Sequence, residues 1–137
     1  MEYISLNKFL EQSQEVQNIF LDWWKQNILP HDLYKTRGTR SDVICLKNDE
    51  EYINAVKDLI KDAIPLFTEG QLRNFIEEKL DGCNIYFESY TNGDTELTVE
   101  FEYNHSLEGD CDVDEIKVIC DDMLDGYWQI ACKIASE

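Results

Sequence analysis

Two runs of alternating apolar and polar residues flank one turn and constrain the fold more than any other feature of this chain. The runs cover 83–91 and 95–103, and Asn92-Gly93 lies between them. An Asn-Gly pair between alternating runs favours a hairpin turn. Alternation with a period of two is typical of strands that bury one face. The sequence therefore predicts a β-hairpin over about 83–103.

The length of the hairpin loop decides which side chains are buried. A two-residue turn at Asn92-Gly93 would place Phe87 opposite Thr98 and split the apolar residues between the two faces. A three-residue loop over 92–94, with a bulge near Gly93, places Phe87 opposite Val99 and gathers the apolar residues on one face. We therefore expect the three-residue loop.

This register predicts two chemically different faces. The buried face would consist of Ile85, Phe87, Leu97, Val99, Phe101 and Tyr103. The opposite face would consist of Tyr86, Glu88, Tyr90, Glu96, Thr98, Glu100 and Glu102. Alternate residues of a strand lie about 6.8 Å apart. We therefore expect a row of carboxylates on one solvent-exposed face.

The N-terminal region predicts an amphipathic helix over about 6–28, because apolar residues recur there near the helical period. Ser13 is a good N-cap, and in an alternative interpretation it breaks this segment and makes 13–26 the main helix. A connector with a brief strand at 43–46 should follow.

Two helices are predicted in the middle of the chain. The first begins at Asn48 or Asp49 and continues to Ala63, before Pro65. The second has the sharper signal, because Thr68 and Gln71 have the spacing of a capping box.

The last segment predicts a helix over about 113–135. Apolar residues step there by four and three, and Asp112 and Glu115 resemble an N-cap with its third-position acid. Gly126 within the helix costs about 1 kcal/mol relative to alanine. We therefore expect a close packing contact at Gly126.

These elements predict an α+β fold, a single domain over 1–137. Three or four helices should pack on one face of a small antiparallel sheet built around the hairpin. The 137 residues and 43% hydrophobic content are typical of one globular domain. The chain shows no signal peptide and no apolar run of membrane-spanning length, so we expect a cytoplasmic protein. Five cysteines without a CxxC pair predict reduced thiols.

Charge is distributed unevenly along the chain. The formal net charge is −17; residues 1–79 carry 14 acids and 10 bases, whereas residues 80–137 carry 15 acids and two lysines. Such a field repels nucleic acid and anionic membranes and attracts basic surfaces. Direct binding of nucleic acid by the C-terminal half is therefore not expected.

Sequence motifs for catalysis, cofactor binding or metal binding are not recognisable. The acids of Asp110-Cys111-Asp112-Val113-Asp114 have the spacing of a calcium loop, but Glu115 replaces the required glycine. An acidic helix N-terminus explains them better. His31 and His105 lie outside any zinc-ligand spacing. We expect a protein that is not an enzyme and has no cofactor.

The acidic C-terminal surface supports two hypotheses. It keeps the protein soluble, or it occupies the basic nucleic-acid-binding groove of another protein, with tyrosines as anchors beside the carboxylates. In the second hypothesis the partner-binding residues are Tyr86, Glu88, Tyr90, Glu96, Glu100, Glu102, Glu108, Asp110, Asp112 and Asp114.

Two further segments are candidates for contacts. Trp23 and Trp24 point about 100° apart on a helix, so we expect one to face the core and the other to pack at its edge. In the alternative, Trp24 is exposed and would be an interface anchor. The basic loop from Lys35 to Arg40 is either a solvated connector or a partner for the acids of a second copy in a homodimer.

The segments 16–25, with Asp22-Trp23-Trp24, and 65–77, with Leu66-Phe67-Thr68-Glu69-Gly70-Gln71-Leu72, resemble small acidic proteins of phages and prophages of Gram-positive, clostridia-like bacteria. The resemblance extends over the first helix and the capped helix. It implies a phage genetic context and a host cytoplasmic location. Small acidic phage proteins include counter-defence proteins, such as anti-CRISPR proteins, that imitate DNA. The resemblance therefore implies an inhibitor of a host protein.

Overall fold

The computed structural model describes residues 2–29, 32–36, 44–45, 63–104 and 111–137. The chain divides into two compact units, an N-terminal unit, Tyr3–Phe67, and a C-terminal unit, Thr68–Glu137 with Met1–Glu2. Helices and antiparallel sheets occur in separate stretches of sequence. The fold is therefore α+β, as predicted.

The N-terminal unit begins with two helices, α1 (Leu6–Leu10) and α2 (Gln14–Gln26). Ser13 caps α2, because its hydroxyl accepts a hydrogen bond from the Val16 N–H at 3.3 Å. The prediction of a single helix over 6–28 is therefore wrong, and the alternative interpretation, a break at Ser13 before the main helix, is confirmed. Buried Gln17 donates through Nε2 to the Gln12 carbonyl at 2.8 Å, which stabilises the link between the helices.

Three short strands complete the described part of this unit: β1 (Leu33–Thr36), β2 (Ile44–Cys45) and β3 (Ala63–Pro65). They form an antiparallel sheet in the order β2-β1-β3. The predicted strand at 43–46 is present as β2. The predicted second helix lies outside the described residues, except that its expected last residue, Ala63, begins a strand instead.

Aromatic side chains form the core of the N-terminal unit. The rings of Phe20 and Phe67 have centroids 5.5 Å apart, and Trp24 is only 1% exposed. The Trp24 Nε1–H donates to the Asp32 carboxylate at 3.0 Å. Burial raises the pKa of that carboxyl group. Trp24 is therefore a core residue, and the hypothesis that it is an exposed interface anchor is wrong.

The C-terminal unit consists of two helices and three strands. Their bounds are α3 (Glu69–Lys79), β4 (Asn84–Ser89), β5 (Thr95–Asn104), β6 (Cys111–Cys120) and α4 (Met123–Ala135). The strands form an antiparallel sheet in the order β4-β5-β6. Thr68 and Gln71 form the predicted capping box.

The C-terminal helix is present but begins ten residues later than predicted, at Met123. Residues 111–120 form strand β6 along the full length of β5. The N-cap is Asp122, whose carboxylate accepts from the Asp125 N–H at 2.8 Å. The predicted cap at Asp112 is wrong, because this residue lies within β6. The sequence was ambiguous here, since the four-residue spacing of Ile116 and Cys120 fits alternation in a strand as well as the helical period.

The hairpin loop has the predicted length but lies one residue earlier, at 91–93. The Tyr90 N–H donates to the Asp94 carbonyl at 2.8 Å, and the Gly93 N–H donates to the Tyr90 carbonyl at 3.1 Å. Gly93 has φ +91°, the left-handed conformation that follows a type I turn in three-residue loops. Because the loop lies one residue earlier, each residue of β4 faces a residue of β5 two positions away from the predicted partner.

The observed register pairs Phe87 with Leu97 and Ile85 with Val99. The predicted pairs are therefore wrong, but a shift of two keeps every side chain on its predicted face. Leu97 and Val99 are fully buried, whereas Ile85 and Phe101 are half-buried and Phe87 is exposed. The side chain of Tyr103 lies outside the described residues.

Helix α4 packs against the buried face of this sheet at Gly126. A Cβ atom at Gly126 would lie 3.0 Å from both the Leu97 Cβ and the Cys120 Sγ, closer than normal contacts allow. The predicted close packing at Gly126 is confirmed. The sheet therefore has one face covered by α4 and an opposite face without a helix among the described residues of this unit.

Candidate functional site

The face of the C-terminal sheet opposite α4, here called the outer face, collects most of the acids of the hairpin. Strand alternation and the observed register assign eleven described side chains to it. They are Asn84, Tyr86, Glu88, Glu96, Thr98, Glu100, Glu102, Val113, Glu115, Lys117 and Ile119.

The carboxylates of the outer face occur in cross-strand pairs. Glu88 lies directly opposite Glu96, and Glu100 lies directly opposite Glu115. Directly opposed residues have Cβ atoms about 4.5–5.5 Å apart, so each pair places like charges side by side. Such pairs destabilise a sheet unless a cation or a hydrogen-bond donor lies between them. The outer face therefore favours binding of positive charge.

Tyr90 supplies a donor at one of these pairs. Its hydroxyl group lies 3.1 Å from a Glu88 carboxylate oxygen and 3.2 Å from a Glu96 carboxylate oxygen. One hydroxyl proton serves one acceptor at a time, so the two carboxylates share it. The hydrogen bond to Glu88 is the main cause that raises the pKa of Tyr90 to about 12. The phenol is therefore held neutral beside two negative charges.

Lys117 is the single basic side chain among the eleven described residues of the outer face. Its Nζ lies 3.4 Å from the Glu115 carboxylate, and both side chains are about half exposed. Exposed ion pairs of this kind contribute little to stability. With five glutamates and one lysine, the outer face has a strong negative balance.

Exposed apolar side chains accompany the acids. Val113 is 66% exposed, Ile119 is 64% exposed and Tyr86 is 45% exposed. Beside them is an open hollow of about 170 Å³, and it is lined by Gly82, Asn84, Glu100, Phe101, Glu102 and Val113. Apolar groups mixed with charges are typical of protein–protein interfaces.

The structure assigns the predicted partner-binding residues to different places. It brings six of them together at the outer face: Tyr86, Glu88, Tyr90, Glu96, Glu100 and Glu102. Asp114 lies opposite Phe101, which is on the other face of the sheet. Asp112 pairs with Tyr103, also at a position of that other face, and its side chain lies outside the described residues. Glu108 and Asp110 lie outside them as well.

Sequence reasoning missed Glu115, Val113 and Ile119 as members of the outer face. Their strand was interpreted as the start of a helix. The signal for a strand was present, because Ile116, Val118 and Cys120 alternate and are rich in β-branched residues. Asp112 and Asp114 therefore belong to strand β6, and their interpretation as an acidic helix N-terminus is wrong.

The described cysteines have the character of unreactive thiols. Cys83, Cys120 and Cys132 are free thiols, and burial raises the pKa of each, to about 12 for Cys132. A raised pKa disfavours the reactive thiolate. Among the residues that the structure describes, no group of three or more His, Cys, Asp and Glu residues is arranged to hold a metal ion.

Within the described ranges, no helix is long and apolar enough to cross a membrane. Comparison with known proteins finds no match to a family model, a curated protein or a solved structure. The outer face therefore has to be interpreted from its own chemistry.

Proposed function

We propose that this chain is a binding protein whose outer face occupies a basic, nucleic-acid-binding surface of another protein and excludes nucleic acid from it. The observation that carries the proposal is an exposed sheet face with five glutamates, one lysine and exposed apolar groups. The proposal includes a phage origin, inhibition of a host protein as in counter-defence, and action in the host cytoplasm.

Electrostatics supports a target that normally binds nucleic acid. Duplex DNA presents one negative charge per about 1.7 Å, and grooves that bind it are lined with Lys and Arg. The Cβ atoms of the two directly opposed glutamate pairs are about 5 Å apart, and alternate residues along a strand are about 6.8 Å apart. The surrounding residues 80–137 hold 15 acids and two lysines, which extends the negative field beyond the face.

The alternative proposal is a structural or housekeeping phage protein whose acidity serves solubility. Charge alone would achieve solubility, and exposed Val113 and Ile119 would work against it. Their position among the glutamates favours a surface that becomes covered by a partner.

The test is a variant in which Glu88, Glu96, Glu100 and Glu102 are replaced by glutamine. It removes four charges while keeping side-chain size. Partners are captured from a lysate of a clostridia-like host, and binding of the purified partner is measured at several salt concentrations. We expect slower association of the variant, a steep loss of wild-type affinity with salt, and competition by the partner's nucleic acid.

A matched control replaces four exposed glutamates outside the outer face: Glu2, Glu11, Glu15 and Glu137. Its net charge equals that of the first variant. If the two variants bind equally, or if the first variant binds as well as wild type, the outer face is not the binding surface and the solubility alternative is favoured.

A further inference from the structure

Strand β4 is an open edge of the C-terminal sheet. Among the described residues it pairs with β5 alone, and five of its six residues are exposed. Phe87 lies on the buried face of the sheet, opposite fully buried Leu97, yet it is itself 39% exposed. An added neighbouring strand would cover it.

The backbone of β4 has hydrogen-bonding groups directed away from β5. The Tyr90 N–H donates toward β5, to the Asp94 carbonyl. In an antiparallel pair the inward and outward groups alternate along the strand. The N–H and C=O groups of Ile85, Phe87 and Ser89 are therefore directed outward. An extended segment beside β4 would pair with these groups.

Natural edge strands are usually protected by proline, lysine, bulges or inward-pointing charge. β4 has the sequence Asn84-Ile85-Tyr86-Phe87-Glu88-Ser89 and contains none of these protecting features. Its single charge, Glu88, lies on the outer face. The edge therefore retains the capacity to accept a strand.

We infer that the basic partner inserts an extended segment along β4 as a fourth strand, with basic side chains over the outer face and apolar side chains beside Phe87. This inference rests on the proposed function and specifies how the partner binds. In such strand addition, main-chain hydrogen bonds supply affinity and alternate side chains supply specificity. An alternating basic and apolar segment matches both faces of the sheet at this edge.

Charge argues against a second copy of this chain as the occupant. Residues 80–137 of each copy carry 15 acids and two lysines, so pairing of two β4 strands would join two negative faces. A segment with Lys or Arg opposite Tyr86 and Glu88 gains attraction instead. The chemistry of the outer face therefore selects a basic extended segment.

The first measurement uses a short synthetic peptide in which lysine and valine alternate, added to the full chain. Amide hydrogen exchange is followed by NMR. We expect exchange at Ile85, Phe87 and Ser89 to slow by about tenfold or more at saturation, since these amides gain hydrogen bonds. Tyr86 and Glu88 should change little because their amides already face β5. A peptide of the same composition in non-alternating order should protect none of the three.

The second measurement compares Phe87→Pro with Phe87→Val. Proline removes an outward N–H that makes no hydrogen bond within the described chain, and edge strands tolerate such a proline. Valine keeps the N–H. We expect Phe87→Pro to weaken peptide binding roughly tenfold relative to Phe87→Val. If Phe87→Pro unfolds the chain, the exchange measurement on wild type still decides.

Failure of this inference differs from failure of the proposed function. One outcome is that the peptide binds, that its affinity falls for the four-glutamine variant, and that the three outward amides stay unprotected. Binding would then occur on the outer face, and strand addition would be overturned. If protection appears without the peptide and rises with protein concentration, the occupant is a second copy. If the alternating peptide does not bind at all, the inference is overturned. The proposed function is rejected only by the separate test, in which the four-glutamine variant binds the captured partner as well as wild type.

Discussion

The two faces of the C-terminal sheet belong to the same strands but carry different side chains, apolar on the covered face and mostly charged on the outer face. On one face, Leu97 and Val99 are fully buried under α4, and on the other, Glu96 and Glu100 alternate with them along the same strand. Stability is concentrated on the first face, because burial of apolar area is the main favourable term in folding. The second face places like charges opposite each other. This difference shows that the covered face stabilises the sheet, whereas the outer face places carboxylates where they repel each other.

The largest expected effect is that of Leu97→Ala. Truncation of a fully buried leucine leaves a cavity under α4 and should lower the free energy of unfolding by about 2–5 kcal/mol. The neighbouring substitution Thr98→Ala, on the outer face, should change it by less than about 0.5 kcal/mol. Chemical denaturation measures both. Equal effects would contradict the assignment of the two faces.

Gly126→Ala should have the next largest effect. Alanine normally favours a helix interior over glycine by about 1 kcal/mol. Here its Cβ would lie 3.0 Å from Leu97 and Cys120 side chains, so overpacking should give a net destabilisation of about 1–3 kcal/mol. Gly70→Ala is the matched control, because no atom lies within 4 Å of its Cβ position in the first turn of α3. A stabilised Gly126→Ala protein would show that α4 does not approach the sheet closely.

The four-glutamine variant of the outer face should be slightly more stable than wild type. It relieves repulsion between Glu100 and Glu115, worth a few tenths of a kcal/mol, whereas the Tyr90 hydroxyl group already offsets the repulsion between Glu88 and Glu96. Thermal unfolding at low salt should show the difference. High salt should remove it, since screening weakens repulsion between exposed charges. A less stable variant would contradict the opposition of these carboxylates.

The smallest expected effect is on the titration of one hydroxyl group. The Tyr90 pKa is raised from 10.0 to about 12, so the folded chain binds this proton more tightly than the unfolded chain. The stabilisation is therefore present below pH 10 and is lost as the pH rises through about 12. The difference in ultraviolet absorbance between wild type and Tyr90→Phe follows the ionisation.

Glu88→Gln should lower the pKa of Tyr90, because the hydrogen bond to the Glu88 carboxylate is the largest cause of its elevation. Phe at position 90 removes these hydrogen bonds and should lower the stability at neutral pH only slightly, because the hydroxyl group is exposed to solvent. If Glu88→Gln leaves the pKa of Tyr90 unchanged, the hydroxyl group does not contact the Glu88 and Glu96 carboxylates in solution.

Local signals in the sequence predicted local structure well. The Ser13 cap, the Thr68 and Gln71 capping box, and the close contact at Gly126 are all confirmed. The two caps depend on residues a few positions apart in the sequence. The contact at Gly126 was predicted because glycine is unfavourable within a helix unless close packing requires it. The alternating hairpin was predicted for the same reason as the caps, including its loop length.

Features that depend on pairing between distant residues were predicted less well. Gly93 favours a loop at 91–93 over one at 92–94, because the third residue of a three-residue loop adopts the left-handed conformation. The prediction overlooked this signal because both loops leave the same side chains on each face, and the register follows from the choice of loop. β6 was mistaken for the start of a helix because Ile116 and Cys120 suit both periods, and pairing with β5 decides between them. The error removed Glu115 from the predicted binding face and added Asp112 and Asp114 to it. The extent of the single domain predicted over 1–137 stays a prediction.

The close approach of α4 at Gly126 has an evolutionary consequence. Because the contact involves only the covered face of the sheet, substitutions on the outer face leave it intact. A replacement at the outer face is therefore compatible with the fold, whereas a larger residue at Gly126 or a smaller one at Leu97 is expected to disturb the packing under α4. The surface chemistry of the sheet can thus change by single substitutions without loss of the fold.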